Sequence, residues 1–288
     1  MELNRRKAIV SGSFYDANKE SLFQQIIGCF NHDIGPRSLP EKNESKKERK
    51  IIGVISPHAG YMFSGPIAAH HYFKLSEEEA PNTIILIGPN HRGLGRDISI
   101  MASGQWETPL GRIGIDQENA EEILTQDYKQ LIKDDPQAHL FEHSIEVQLP
   151  FLQFIYPDNQ FKIIPVSIIN QQLSTMKYLS NIISKVFIEK SCLLIASSDF
   201  THYEDQESAK RKDKEAIEKI LSMESDLFYD IIHRNGASIC GPGAIAVILE
   251  TCKKLGIKKG QLLKYATSGD VSGMTDQVVG YASIIFSL

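Results

Sequence analysis

Three histidines stand a few residues past runs of apolar, largely β-branched residues. His58 follows Ile51-Ile52-Gly53-Val54-Ile55-Ser56-Pro57, and His91 follows Thr83-Ile84-Ile85-Leu86-Ile87-Gly88-Pro89-Asn90. His202 follows Cys192-Leu193-Leu194-Ile195-Ala196-Ser197-Ser198-Asp199-Phe200-Thr201. Neutral imidazole is the commonest protein ligand for metals, and it moves protons near neutral pH. The runs read as strands buried on both faces, the first ending at Ser56 or Pro57 because a residue before proline is pushed to extended geometry. Ligands of open α/β sheets bind beyond the carboxyl ends of strands. A single histidine there is an ordinary loop residue; three predict a shared site at one sheet edge.

Other residues add chemistry. Cys240 stands before Gly241-Pro242-Gly243, with proline placed for the first turn of a helix. A helix N-terminus stabilises the thiolate that ligates metals and attacks electrophiles, while the plainer reading is a small buried residue at a turn. Asp199 orients His202, accepts protons itself, or caps a turn. His139-Leu140-Phe141-Glu142-His143 matches H-x-x-E-H, the inverted zinc-peptidase signature. That chemistry needs both histidines on one helix face, yet clean helical periodicity starts only near Ser144. Glu142, His143 and Glu146 therefore read either as polar groups of the same pocket or as a capped helix start. Gly241-Pro242-Gly243-Ala244-Ile245-Ala246 fits G-x-G-x-x-A, but Pro242 removes a backbone donor and the expected acidic residue about 20 positions on is missing. Neither a G-x-S-x-G elbow nor a Walker A sequence occurs. Ser56, Ser197, Ser198 and Ser268 read as turn residues, not nucleophiles.

The elements that must position these groups follow from the patterning. Residues 20–30 form a helix capped by Asp16 or Asn18, and residues 32–50 a polar surface loop. A helix opens at Ser64-Gly65-Pro66. The short pieces 98–101, 104–107 and 112–115 suggest an antiparallel meander. Helices follow at 117–125 and 144–155, where Pro150 kinks the helix or starts a new segment. Residues 161–166 form a strand and residues 173–190 a helix. Further helices cover 208–223, 226–233 and 241–255, and strands 262–268 and 278–286 close the chain. Alternating strands and helices predict an α/β fold, with a mixed, largely buried sheet flanked by helices and residues 1–288 as one domain.

The 288 residues carry 31 basic and 36 acidic side chains, a net charge of −5. With no basic stripe, nucleic-acid binding is disfavoured. Apolar runs fall far short of the roughly 20 residues that span a bilayer, so no membrane association is expected. The first eight residues are too polar for a signal peptide. Cys29, Cys192, Cys240 and Cys252 show no paired framework, as expected in the cytoplasm.

With these residues in view, the chain resembles the Memo family, known in prokaryotes as system protein B of the AmmeMemoRadiSam set. The matching stretches are Ser-Gly-Ser-Phe-Tyr at 11–15, Ser-Pro-His-Ala-Gly-Tyr at 56–61, Gly-Pro-Asn-His at 88–91 and Thr-Pro-Leu-Gly at 108–111. They continue with Glu-His-Ser-Ile-Glu at 142–146, Ser-Ser-Asp-Phe-Thr-His-Tyr at 197–203, Cys-Gly at 240–241 and Thr-Ser-Gly-Asp at 267–270. The resemblance implies the fold of the class III, LigB-type extradiol dioxygenases, which hold non-haem Fe(II) with two histidines and a carboxylate. In Memo-like proteins a cysteine replaces the carboxylate. The implied metal ligands are His58, His91 and Cys240, with His202 matching the catalytic base and Asp199 and Glu142 in support. A thiolate is softer and more easily oxidised than a carboxylate, which suits Fe(II), Cu or Zn but not ring cleavage. The expected function is metal-dependent redox or oxygenase-like chemistry on an unknown substrate. The expected partners are a radical-SAM protein and an AMMECR1-like protein. The alternative is a non-catalytic binding module that captures a phosphotyrosine-type peptide or a protein in a vestigial pocket.

Overall fold

The three apolar runs each form a fully buried strand, because every side chain on either face meets a helix layer. The computed structural model describes residues 5–41, 46–157, 160–187 and 192–288. In chain order the first elements are β1 (Arg5–Arg6), α1 (Lys19–Asn31), β2 (Ile51–Ser56), α2 (Tyr61–Ser76), β3 (Thr83–Pro89), β4 (Ile98–Ile100), β5 (Gln105–Thr108) and β6 (Gly111–Gly114). Next come α3 (Gln117–Thr125), β7 (Ile132–Asp134), α4 (Leu149–Ile155), β8 (Lys162–Ile168), α5 (Leu173–Phe187), β9 (Cys192–Ser197) and β10 (His202–Glu204). The chain closes with α6 (Gln206–Leu221), α7 (Ser225–Asn235), α8 (Pro242–Lys254), β11 (Gln261–Thr267), α9 (Ser268–Ser272) and β12 (Val278–Ser287).

The large sheet runs β10-β12-β2-β9-β3-β8-β4-β7, with β11 also paired to β12. Its centre is parallel: β2 pairs with β9, β9 with β3, and β3 with β8. Antiparallel β12 and β4 flank this centre, so the sheet is mixed. The period of two divides the strands between two cores. Ile55, Ile85 and Leu194 pack on the face covered by α5 and α8. Val54, Ile84 and Leu193 pack on the face covered by α1, α2 and α4. Each such side chain contributes about 1.5–3 kcal/mol on burial. The four parallel strands all end at one edge, where β2, β3 and β9 release the loops that carry His58, His91 and Asp199. Among the described residues no helix is long and apolar enough to cross a membrane.

Local signals held in part. Asn18 caps α1, accepting from Ser21 N at 3.0 Å. Pro150 starts a new segment: a 3₁₀ turn at Glu146–Gln148 precedes α4, with Pro150 in its first turn. Helix α2 begins at Tyr61, earlier than the proline suggested, and keeps Pro66 inside it. Proline leaves the Met62 carbonyl without its helical donor, at a residue on the exposed surface. The antiparallel meander does not form. Strand β4 joins the large sheet between β8 and β7, while the β5–β6 hairpin pairs with β1 in a separate three-stranded sheet. In the polar loop, Lys46 Nζ donates to Ser76 O at 2.7 Å. Residues 1–4 of the polar N-terminus, 42–45 of this loop and 188–190 of the expected helix lie outside the described residues.

Candidate metal centre

His58 and His91 converge as strand-end geometry predicts, and a third histidine joins them. His58, His91 and His143 each present a ligand atom, all within 4.8 Å of one another. The ring centroids of His58 and His91 lie 5.2 Å apart, and those of His91 and His143 4.7 Å. Burial lowers the pKa of His58 well below the ordinary imidazole value, with His143 and His91 adding to the effect. Burial also pushes His143 down to about 4, against the opposing pull of Glu142. Both rings are therefore neutral near pH 7 and offer a lone pair.

Glu142 organises two of the three. Its carboxylate accepts from His91 N at 2.6 Å, His91 Nδ1 at 2.9 Å, His143 N at 2.9 Å and Ser144 N at 2.8 Å. Burial works against this charge, but the His91 hydrogen bond and the neighbouring dipoles win and hold the carboxyl well below its ordinary range. An ionised carboxylate only accepts, so His91 Nδ1 is a donor, and Nε2 is the ring nitrogen not engaged by Glu142.

Cys240 sits just before α8, with Sγ 3.2 Å from His58 Nε2 and accepting from Asp199 N at 3.1 Å. Burial, aided by the Asp199 carboxylate, pushes the thiol up. Asp199 accepts from His58 N at 2.7 Å, and burial raises its own carboxyl. His202 lies on the edge strand β10. Its Nδ1 faces Ser238 O at 2.8 Å, a carbonyl that can only accept, so Nδ1 is the donor.

The inverted zinc-peptidase reading fails. Residues Pro136–His139 form a 3₁₀ turn, so there is no helix face to align the two histidines. The His139 ring is fully buried against Trp106, 5.7 Å between centroids, outside the cluster. Of the two readings of Glu142 and His143, as pocket groups or as a capped helix start, the structure supports the pocket, although His143 was not among the expected metal ligands. Arg6 was not singled out at all: it pairs with buried Glu146 and donates to Glu142 O and His139 O, fixing the segment that carries Glu142 and His143. Glu146 also accepts from Tyr15 Oη at 2.5 Å.

A mixed sheet with a parallel centre, and with histidines and a cysteine gathered past its strand ends, defines an α/β protein with a candidate metal centre. The chain belongs to the Memo-like protein family, whose model matches residues 6–285. It is 44% identical over 285 residues to a MEMO1 family protein of Saccharolobus solfataricus, covering 98% of this chain and 99% of that one. It is 44% identical over 283 residues to a MEMO1 family protein of Methanopyrus kandleri, covering 98% of each. An uncharacterized protein of Escherichia coli K12 with a crystal structure shares the fold. Its TM-score is 0.53 at 12% identity, over 80% of this chain and 99% of that one.

Proposed function

We propose that this Memo-family protein is a cytoplasmic, non-haem metal-dependent redox protein. The observation that carries the reading is the three-histidine cluster at the strand ends. The donor set fits a metal: imidazoles held by Glu142 and Ser197, beside a thiol 3.2 Å from His58 Nε2. His58, His91 and Cys240 would hold the ion, with His143 as a further donor. Mixed nitrogen and sulfur donors suit Cu, Zn or Fe(II) alike, and the resemblance to the iron dioxygenases is what favours Fe(II). When bound, an iron or copper ion would supply redox or oxygenase-like chemistry to a substrate.

The chain's own residues supply the rest. Glu142 fixes the ring of His91 and the backbone of His143. Asp199 bonds both the His58 backbone and the Cys240 loop, so it holds two donors in register. His202 exchanges a proton through Nε2. The family resemblance supports association with a radical-SAM protein and an AMMECR1-like protein. The binding-module reading keeps one observation in its favour: Met62, Phe141 and Tyr203, each in or next to a site loop, are exposed.

The test is metal content after anaerobic purification, in wild type and in His58→Ala, His91→Ala and Cys240→Ser. Near-stoichiometric iron or copper that is lost in the variants is expected. A wild type that stays metal-free even after reconstitution would refute the reading and leave peptide or partner capture.

A further inference from the structure

Beneath His58 lies a closed chain of buried hydrogen bonds. Gln148, Ser197, Ser56 and Tyr72 are all essentially inaccessible to solvent. Gln148 Nε2 lies 3.0 Å from Pro57 O and 2.9 Å from Ser197 Oγ. Its Oε1 lies 2.6 Å from Ser56 Oγ and 2.7 Å from Tyr72 Oη. Ser197 Oγ lies 2.5 Å from Ser144 O and 2.9 Å from His58 Nδ1.

Counting protons settles every direction. Pro57 O and Ser144 O are carbonyls and can only accept. The Gln148 amide must therefore turn its NH₂ towards Pro57 O, since the flipped amide would set two oxygens against each other. Its second N–H then points at Ser197 Oγ. Ser197 has one proton, and the buried Ser144 carbonyl at 2.5 Å requires it. What Ser197 has left for His58 is a lone pair. His58 must donate from Nδ1, so Nε2 carries no proton and faces Cys240 Sγ.

We propose that Ser197, oriented by Gln148, is a positioning residue that holds His58 as the Nδ1–H tautomer and so keeps Nε2 open as a metal ligand. Neither Ser197 nor Gln148 belongs to the cluster of possible ligands. The proposal rests on the metal-centre reading for its consequence, but the tautomer itself is a property of the metal-free protein. Fixing a ligand's tautomer from behind usually governs metal affinity by roughly 10–100-fold.

The experiment uses metal-free full-length protein labelled with ¹⁵N-histidine, with His58 assigned from the signal missing in His58→Gln. Wild type should show a protonated Nδ1 and an unprotonated Nε2. A dominant Nε2–H form would overturn the proposal, and this measurement needs no folded Ser197 variant. Ser197→Ala should lose the tautomer preference and bind Zn²⁺ roughly 10–100-fold more weakly, while Ser197→Thr, which keeps the hydroxyl, should restore both. A folded Ser197→Ala with the wild-type tautomer and unchanged Zn²⁺ affinity would overturn it. The expected tautomer in a wild type that takes up no Zn²⁺, iron or copper would sustain the positioning role and sink the metal reading, so the two failures are distinguishable.

Discussion

Replacing Glu142 by Gln separates what the carboxylate charge does from what its shape does. The side chain keeps its size in a fully buried position, but its two ends are no longer alike. Oε1 accepts from His91 Nδ1, His143 N and Ser144 N, and Oε2 from His91 N alone. The least harmful placement puts the amide oxygen at Oε1 and the NH₂ against His91 N–H. Three charge-assisted hydrogen bonds fall to neutral strength, about half, and the fourth becomes a donor facing a donor. Part of the loss is offset because a buried charge no longer has to be desolvated. The net expectation is a metal-free protein less stable by about 3 kcal/mol at pH 7. The pH dependence has a definite sign. Glu142 is held below its ordinary value of 4.5, so the wild type's advantage is complete above that pH and shrinks as pH falls through the lower folded value. Urea unfolding in EDTA at several pH values reads this directly. Metal affinity should fall as well, because His91 and His143 lose the group that aims them. A Gln variant within about 0.5 kcal/mol of wild type at pH 7 would refute the account of Glu142 as the organiser of the loop.

Cys240→Ser should weaken Zn²⁺ or Fe²⁺ uptake. Because burial keeps the thiol protonated, wild-type uptake at pH 7 should release close to one proton per ion, read by calorimetry in buffers of different ionisation enthalpy, whereas the Ser variant should not. His139 is buried and neutral, its pKa lowered by burial from 6.5 to about 3, so the unfolded chain binds the extra proton. Stability present above pH 6.5 should be lost at up to about 1.4 kcal/mol per pH unit as pH falls towards 3, and His139→Leu should flatten that slope in acid unfolding curves. Arg6→Met leaves Glu146 charged and unpaired in the interior, so unfolding free energy should drop by about 3–5 kcal/mol, checked by urea titration. Gly280→Ala would drive a methyl into Asp213 Oδ2, so its melting temperature should fall clearly below wild type.

What the sequence displayed and what it hid divide along the range of the interactions involved. The strands β2, β3 and β9 are legible because burial on both faces writes an unbroken apolar run into the chain itself. His58 and His91 are legible for the same reason: the strand end fixes where they go, whatever lies elsewhere. The three-stranded sheet is not legible. Alternation in β5 says that one face is covered, not that its partner is a two-residue strand about a hundred positions earlier. Arg6 reads as a surface charge and is buried only because Glu146, 140 residues on, neutralises it. His143 lies between the two 3₁₀ turns, where no periodicity points, and its place is set by Glu142 bonding to His91 across the site. The H-x-x-E-H string shows how a motif misleads without its element. The same five residues, off a helix, send His139 into the core beside Trp106 and His143 into the cluster. Ser197 and Gln148 are the extreme case: Ser197 reads as a turn residue and Gln148 as one polar position of a helix, and only the direction of the protons around them shows what they hold in place.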